Sequence, residues 1–228
     1  MKVPFRSKSE IESMAIDLLN KFYASRGEKV SLPIDVDEVI EGYFRIDLQF
    51  TDLKTLLNIP DVLGATWFDD NVMRIDSSLE EKEGRLAFTM AHEIAHWWMH
   101  RPIYEMEKVS LPMFAYGEDI KPTSAIVCRS FKKKEPAEWQ ADQFAAILLM
   151  PAFLVRDAVS KINGPGPIAI EDLELYDGSA ADNYRLRQVS KQLIEEHGFG
   201  NVSVEAMCYR LIDLKCVADA NPQQLSLL

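Results

Sequence analysis

The chain has 228 residues, of which 47% are hydrophobic, and it carries a formal net charge of −11 at pH 7. This length is enough for one sizeable hydrophobic core with a smaller appended unit. The acidic balance disfavours direct binding to DNA, because phosphate backbones attract clustered Lys and Arg, and the lack of any run of about 18 apolar residues argues against a membrane span.

The first residues, MKVPFRSKSEIESM, are basic but lack the apolar core of a secretory signal, so we expect a cytoplasmic protein. The cysteines Cys128, Cys208 and Cys216 are odd in number, and their spacing suits neither a disulfide framework nor a thiolate zinc site. We expect them to be reduced thiols, with metal binding through Cys128 as the alternative.

Two helices are predicted first along the chain. One covers residues 9–26, with Ser9 as its N-cap, Glu12 completing a capping box and Gly27 ending it. A short second helix follows near residues 36–42, where Asp35 is in the position of an N-cap.

The hydrophobic pattern then changes to the alternation that is typical of β-strands. Residues 43–50 predict one strand, and the segments ATWFDD and NVMRIDSS predict two more around a turn at Asp70 and Asn71. We predict that the 62–76 region is an exposed sheet edge, to which an extended peptide substrate adds itself by backbone hydrogen bonds. The alternative is that these strands only build the core.

A third helix, predicted from about Leu79 to His100, contains the motif H-E-x-x-H at residues 92–96. Because an α-helix has about 3.6 residues per turn, His92 and His96 lie on one face and can bind the same metal ion. Glu93 is rotated by about 100° from His92, which places its carboxylate beside the metal. A general base that takes a proton from the attacking water belongs at this position.

A catalytic zinc ion usually has another protein ligand besides two histidines. His100 is disfavoured in this role, because about 12 Å of straight helix separate it from His92 and no glycine breaks the helix between them. The segment EWQADQFAAILLMP predicts a further helix with Glu138 and Asp142 one turn apart. We assign Glu138 to the metal, and we expect Asp142 to accept a proton from the far nitrogen of a ligand histidine. The alternative is an ordinary amphipathic helix with two solvated acids.

AHEIAHWWMH followed by EWQADQFAAILLMP resembles the ImmA/IrrE family of zinc metallopeptidases, which share the gluzincin arrangement of H-E-x-x-H plus a downstream Glu. The resemblance takes in PIDVDEVIEGY and GATWFDDNVMRID and covers about residues 10–155. It implies Zn²⁺ as the cofactor, with His92, His96 and Glu138 as ligands and Glu93 as the catalytic acid and base. Members cleave helix-turn-helix repressors, so the resemblance also implies a protein substrate of that kind and a role in transcription regulation.

Prolines recur between residues 101 and 135, and we predict a long connection there that covers the cleft as a lid, with a plain surface loop as the alternative. The run Gly164–Pro167 is a strong breaker of regular structure. We therefore predict a metallopeptidase-like domain over residues 1–160 and a helical C-terminal subdomain over residues 161–228. Within the latter, residues 180–197 and 203–214 predict two helices.

The second of these helices has few cations, Arg210 and Lys215, which disfavours reading of DNA. Tyr184 and His197 are candidate hydrogen-bond donors to a transition state, although a histidine beside a glycine is more often a helix cap. The acidic charge of the chain is compatible with attraction of a basic protein substrate, with plain solubility as the alternative.

Together these features predict an α+β fold, in which a zincin-like core with a small twisted sheet and an H-E-x-x-H helix is followed by a helical subdomain. The predicted function is zinc-dependent endopeptidase activity on a protein substrate. The alternative is a catalytically silent protein of the same fold, which binds a repressor or sensor protein without cleavage.

Overall fold

A computed structural model of the chain describes residues 3–110, 126–129, 135–173 and 180–220. The fold is α+β, as predicted. In chain order the elements are α1 (Lys8–Arg26), α2 (Val36–Glu38) with a π-helical segment (Val39–Tyr43), β1 (Asp47–Thr51), α3 (Leu53–Leu57), β2 (Val62–Trp67), β3 (Val72–Asp76), a 3-10 turn (Ser77–Leu79), α4 (Glu83–Ala95) with a π-helical segment (His96–His100), α5 (Arg101–Ser110), β4 (Ile126–Arg129), α6 (Pro136–Leu149), α7 (Ala152–Asn163), β5 (Ile168–Ile170), a 3-10 turn (Ala180–Asp182), α8 (Tyr184–Glu196), α9 (Val204–Asp213) and β6 (Val217–Asp219).

The chain forms two compact units, Met1–Leu148 and Leu149–Leu228. This division precedes α7, whereas the boundary predicted at residue 160 lies within that helix, which continues to Asn163. The helix ends where the Gly164–Pro167 breaker begins. The division into two functional domains at residue 160 stays a prediction.

The N-cap of helix α1 is Ser7, two residues before the predicted N-cap. The hydroxyl of Ser7 accepts a hydrogen bond from the backbone N–H of Glu10 at 3.3 Å, and the Glu10 carboxylate accepts one from the Ser7 N–H at 2.7 Å. The predicted capping box of Ser9 and Glu12 is therefore wrong: the same Ser-x-x-Glu spacing occurs twice in the sequence, and the first copy caps the helix. Gly27 ends the helix in the left-handed conformation, φ 69°, as predicted.

The larger sheet has the strand order β1-β3-β2-β4. Strand β3 pairs with β1 in parallel and with β2 in antiparallel orientation, and β2 pairs with β4 on its other side. The predicted hairpin around Asp70 and Asn71 is confirmed, but the prediction that residues 62–76 form an exposed edge is wrong. Both strands of this hairpin are paired on both sides, so among the described residues β1 and β4 are the edge strands of this sheet.

Strand β1 begins at Asp47, later than the predicted residue 43, because the second helix continues through a π-helical segment to Tyr43. The prediction that Asp35 caps this helix is confirmed, since its carboxylate accepts a hydrogen bond from the Glu38 N–H at 3.1 Å. In the core of the first unit α4 packs against β2 and β3, and one face of α1 is buried. The buried residues include Ile11, Leu18, Leu19, Ile75, Ala91 and Ile94.

Helix α4 begins at Glu83, after a 3-10 turn that replaces the predicted first residues. It leads through the π-helical segment into α5, so residues 101–110 are helical and not part of a long loop. Pro102 lies just after the π-helical segment and has no N–H to donate to the carbonyls of that segment. The rest of the predicted lid, apart from β4, lies outside the described residues.

The second unit contains the predicted helix pair, α8 and α9, and a two-stranded parallel sheet of β5 and β6 that was not predicted. Ser203 caps α9 as predicted, accepting from the Ala206 N–H at 3.1 Å. Arg210 is 5% exposed, and its Nε donates to the Met150 carbonyl at 3.0 Å, so this cation packs inside the unit.

Cys208 and Cys216 are buried free thiols, whereas the side chain of Cys128 lies outside the described residues. No helix in the described ranges combines the length and the apolar character needed to cross a bilayer.

Candidate metal centre

Helices α4 and α6 bring two imidazoles and one carboxylate to a common point. His92 Nε2 and His96 Nε2 lie 3.0 Å apart. Glu138 Oε2 is 3.2 Å from His92 Nε2, and Glu138 Oε1 is 3.4 Å from His96 Nε2. Both histidines are buried, and ligand atoms of the three residues all lie within 4.8 Å of one another.

These distances fit a tetrahedral zinc site. With metal–ligand bonds of about 2.0–2.1 Å, tetrahedral geometry separates neighbouring ligand atoms by about 3.3 Å. Glu138 Oε2 is a buried atom that lies within ion-pair distance of His92. It accepts no hydrogen bond of good geometry from any described residue. A cation between the three residues would satisfy this oxygen, because buried carboxylate oxygens require a charged or hydrogen-bonding partner.

The far nitrogen of His92 faces the second predicted acid. His92 Nδ1 and Asp142 Oδ1 are 3.0 Å apart. An ionised carboxylate can only accept, so Nδ1 carries the proton, and in a neutral ring Nε2 then presents its lone pair towards Glu138 and His96. Such a carboxylate–histidine pair orients a metal ligand and increases its basicity. The structure therefore places Asp142 where the sequence argument expected it.

The far nitrogen of His96 faces His100. His96 Nδ1 and His100 Nδ1 lie 2.9 Å apart, and His100 Nε2 lies 3.2 Å from Gln140 Oε1. His100 thus contacts a ligand candidate without belonging to the metal-binding group. From the sequence, His100 was a candidate only for a metal ligand, and no pattern indicated a role for Gln140. The repeat of histidines at i, i+4 and i+8 was the available signal for a supporting histidine.

The carboxylate of Glu93 is fully buried between α4 and β2. The Thr66 hydroxyl donates to Glu93 Oε2 at 2.6 Å, whereas Oε1 has no hydrogen-bond partner among the described residues. Gly64 makes this approach possible, because a Cβ at that position would lie 2.7 Å from Glu93 Oε1 and 2.9 Å from the Thr89 methyl carbon. The alternating residues Gly64 and Thr66 thus form a cradle on one face of β2, a role that sequence reasoning missed.

The pKa values of the two glutamates are shifted in opposite directions. Burial raises the pKa of Glu93 to about 8, although the nearby His92 and the Thr66 hydrogen bond act in the other direction. Burial also raises the pKa of Glu138, but the contacts with His92 and His96 outweigh it and hold this pKa well below its usual range. Burial lowers the pKa of His96 to about 4 and also lowers that of His100, so both rings are neutral near pH 7.

The remaining candidates belong to the second unit. Tyr184 is the first residue of α8 and is 74% exposed, and His197 is the C-cap of the same helix. The position of His197 agrees with the alternative prediction that this histidine is a helix cap. A role of either residue in catalysis stays a prediction.

The family model Peptidase_M78, described as the IrrE N-terminal-like domain, matches residues 46–164, which include β1 to β4, the H-E-x-x-H helix and Glu138. No curated protein matches the chain.

Proposed function

The chain belongs to the peptidase family of the IrrE N-terminal-like domain, and on that premise we propose that it is a zinc-dependent endopeptidase acting on a protein substrate. The observation that carries the proposal is the donor set itself. The side-chain nitrogen and oxygen atoms of His92, His96 and Glu138 lie 3.0–3.4 Å apart. Glu93, the residue next to His92, has a buried carboxylate, and its Oε1 accepts no hydrogen bond from the described residues.

Each residue has a distinct part in the proposed reaction. His92, His96 and Glu138 would hold the ion, and a bound zinc ion supplies Lewis-acid chemistry, activating water and polarising a peptide carbonyl. Glu93 takes a proton from the attacking water on Oε1, because Thr66 already occupies Oε2. The same carboxyl then delivers the proton to the departing amine.

The buried position of Glu93 suits both steps. A general acid and base works best when its pKa lies near the operating pH, and burial raises that of Glu93 to about 8. Thr66 and the cradle of β2 keep the carboxylate in one orientation, so that little rearrangement is needed when the proton moves.

We further propose that the substrate is a DNA-binding protein, with a helix-turn-helix repressor as the first candidate, so that cleavage would relieve repression. Two considerations support this choice. The family resemblance suggests it, and the net charge of −11 favours encounter with a basic partner, which DNA-binding proteins are.

The test uses the full chain, stripped of metal with a chelator and then reloaded with one equivalent of zinc. Helix-turn-helix proteins and unrelated basic proteins are incubated with it, and new termini are identified by mass spectrometry. We expect new termini only in the zinc-loaded sample and loss of these termini after chelation. The Glu93→Gln variant, which keeps all three metal donors, is the matched control and should bind zinc without producing fragments.

The same experiment separates the proposal from its alternative. Zinc binding together with stable, stoichiometric capture of a repressor that is never cut would support the silent regulator. Absence of zinc binding by the wild-type chain would contradict the metal centre and with it both the enzyme and its proposed cofactor.

A further inference from the structure

Four groups from distant parts of the first unit form one continuous series of hydrogen bonds behind the metal centre. Gln140 Nε2 donates to the Pro4 carbonyl at 2.8 Å, Gln140 Oε1 contacts His100 Nε2 at 3.2 Å, and His100 Nδ1 contacts His96 Nδ1 at 2.9 Å. His96, His100 and Gln140 are at most 1% exposed.

We infer that the Pro4 carbonyl, in the segment ahead of α1, determines which nitrogen of His96 carries the proton, acting through Gln140 and His100. The inference rests on the direction of each hydrogen bond. A backbone carbonyl can only accept, so Gln140 must turn its NH₂ group to Pro4 and its oxygen to His100. An amide oxygen also only accepts, so His100 must carry its proton on Nε2.

The same logic continues to the metal ligand. A neutral His100 with its proton on Nε2 has a lone pair on Nδ1 and can only accept there. His96 must then donate from its own Nδ1, which leaves His96 Nε2 without a proton. This is the nitrogen that faces His92 and Glu138, and only an unprotonated nitrogen can bind a metal ion.

The reversed arrangement shows what the Pro4 carbonyl contributes. Were the Gln140 amide turned around, its NH₂ group would face His100 Nε2 and favour a lone pair there, with the proton on Nδ1. That proton would point at His96 Nδ1, and His96 would carry its own proton on Nε2, towards the metal position. The amide of Gln140 is symmetric enough in shape to adopt either orientation, so its acceptor at Pro4 decides between them.

The two histidine ligands are therefore supported by different chemistry. His92 is oriented by the anionic Asp142, whereas His96 is oriented by neutral groups that end in a backbone carbonyl. His100, Gln140 and the Pro4 carbonyl are positioning groups: they touch neither the reacting atoms nor the ion, and they act by setting the tautomer of His96. The inference deepens the proposed metal centre and rests on it for its function, but the tautomer itself can be measured without metal.

The direct test is ¹⁵N NMR of the metal-free full chain with labelled histidine. The chain has four histidines, so each ring can be assigned by single His→Gln substitutions. Near neutral pH we expect a proton on Nδ1 of His96 and on Nε2 of His100. A proton on His96 Nε2, or on His100 Nδ1, in the wild-type chain would overturn the inference whether or not the chain is an enzyme.

Two variants test the consequence for metal binding. Gln140→Leu removes the link while keeping an apolar side chain of similar size, and a chain that starts at Arg6 removes the Pro4 carbonyl but keeps the Ser7 and Glu10 capping box. In both we expect a mixture of His96 tautomers and a zinc affinity lowered by about 10- to 100-fold. Gln143→Leu, on the same helix but outside the hydrogen-bond series, is the matched control and should keep the wild-type affinity.

The outcomes distinguish this inference from the proposed function. Wild-type tautomers and wild-type zinc affinity in the shortened chain would contradict the role of Pro4, even if Gln140→Leu fails to fold. Combining both changes should weaken zinc binding no more than the stronger one alone, because both interrupt the same series. If the wild-type chain shows the expected tautomers but binds no zinc, the metal centre fails while the hydrogen-bond series stands.

Discussion

The site contains two glutamates whose surroundings differ on every count. Glu93 lies on the β2 side, fully buried, with a neutral hydroxyl as its hydrogen-bond donor. Glu138 lies on the α6 side, partly exposed, within 3.4 Å of two imidazoles. Burial acts in the same direction on both carboxyls, yet the pKa of Glu93 is raised and that of Glu138 is lowered. The pKa shifts of the two carboxyls are thus set by their neighbours and not by the residue type, and the proposed roles of metal ligand and proton carrier follow this difference.

The contrast implies that, in the proposed mechanism, the two acids are not interchangeable. A metal ligand must stay ionised whenever the ion is present, and the histidine contacts keep Glu138 in that state. A proton carrier must take up and release a proton, which burial favours at Glu93 by making its charged form less stable. The following predictions test this division of roles.

The largest effects are expected from the same substitution at the two positions. Glu93→Gln should retain zinc and lower turnover by about 10²- to 10⁴-fold, because the proton acceptor is lost while all metal donors remain. Glu138→Gln should lower zinc affinity by more than about 100-fold, beyond the effect of losing a supporting group, because an anionic ligand becomes neutral. Zinc titration and peptide hydrolysis at saturating zinc measure the two effects separately.

Each variant serves as the control for the other. If saturating zinc restores much of the activity of Glu138→Gln but none of that of Glu93→Gln, the roles are as proposed. Equal loss of zinc affinity in both variants would show that the distinction between the two carboxylates does not hold.

A smaller effect is expected from closing the space beside Glu93. In Gly64→Ala the new methyl group would lie 2.7 Å from Glu93 Oε1, the oxygen proposed to accept the proton. Because β2 is paired on both sides, we expect the carboxylate to move and not the strand. A displacement of this kind lowers turnover by about 100-fold, with zinc affinity largely retained. Gly200→Ala is the matched control, since a Cβ there would meet nothing within 4 Å.

The sequence-based predictions of the site residues depended on local patterns. The i, i+4 spacing placed His92 beside His96 and Glu138 near Asp142, because neighbours on one helix turn are fixed by helical geometry. The same reasoning selected the wrong copy of the Ser-x-x-Glu box for α1, since Ser7 and Ser9 offer the same pattern. The helix uses the first copy, Ser7 and Glu10, and nothing in the local sequence distinguishes it from the second.

Features that depend on pairing between distant segments were not predictable. The prediction that residues 62–76 form a sheet edge was wrong because β1 pairs with β3 and β4 pairs with β2. Both partner strands come from segments outside the 62–76 region. Likewise, Gln140 lies 40 residues from His100, and nothing in the spacing of these two residues indicates a hydrogen bond. Gly64 resembles any strand glycine until the distance to Glu93 is known.

The hydrogen bond that holds Glu93 should have a moderate effect. Thr66→Val removes the hydroxyl and keeps the shape, and a hydrogen bond to a charged group contributes about 1.5–3 kcal/mol. If the bond is formed in the transition state, kcat should fall by about 10- to 100-fold with little change in KM. Thr66→Ser retains the donor and should recover most of the activity. Equal activity of the Val and Ser variants would show that Thr66 contributes packing only.

The mildest prediction concerns the stability of the metal-free chain as a function of pH. Because the pKa of Glu93 is raised from 4.5 to about 8, the folded chain keeps a proton in this range that the unfolded chain has released. The contribution of Glu93 to the free energy of unfolding should therefore fall as pH rises from 4.5 to 8, by at most about 1.4 kcal/mol per pH unit. The lowered pKa values of His96 and His100 act in the opposite direction below about pH 6.5. Glu138, with its lowered pKa, also contributes with the opposite sign, and its contribution is lost as pH falls below its usual range.

Urea unfolding of the metal-free wild-type chain and of Glu93→Gln at several pH values isolates the contribution of Glu93. Glutamine does not titrate, so the stability of the variant relative to the wild-type chain should increase steadily towards pH 8. A difference that does not change with pH would mean that Glu93 is ionised throughout in the folded chain. In that case the β2 side would stabilise the charge as α6 does for Glu138, and the contrast between the two glutamates would have to be explained by the position of the ion and not by their proton affinity.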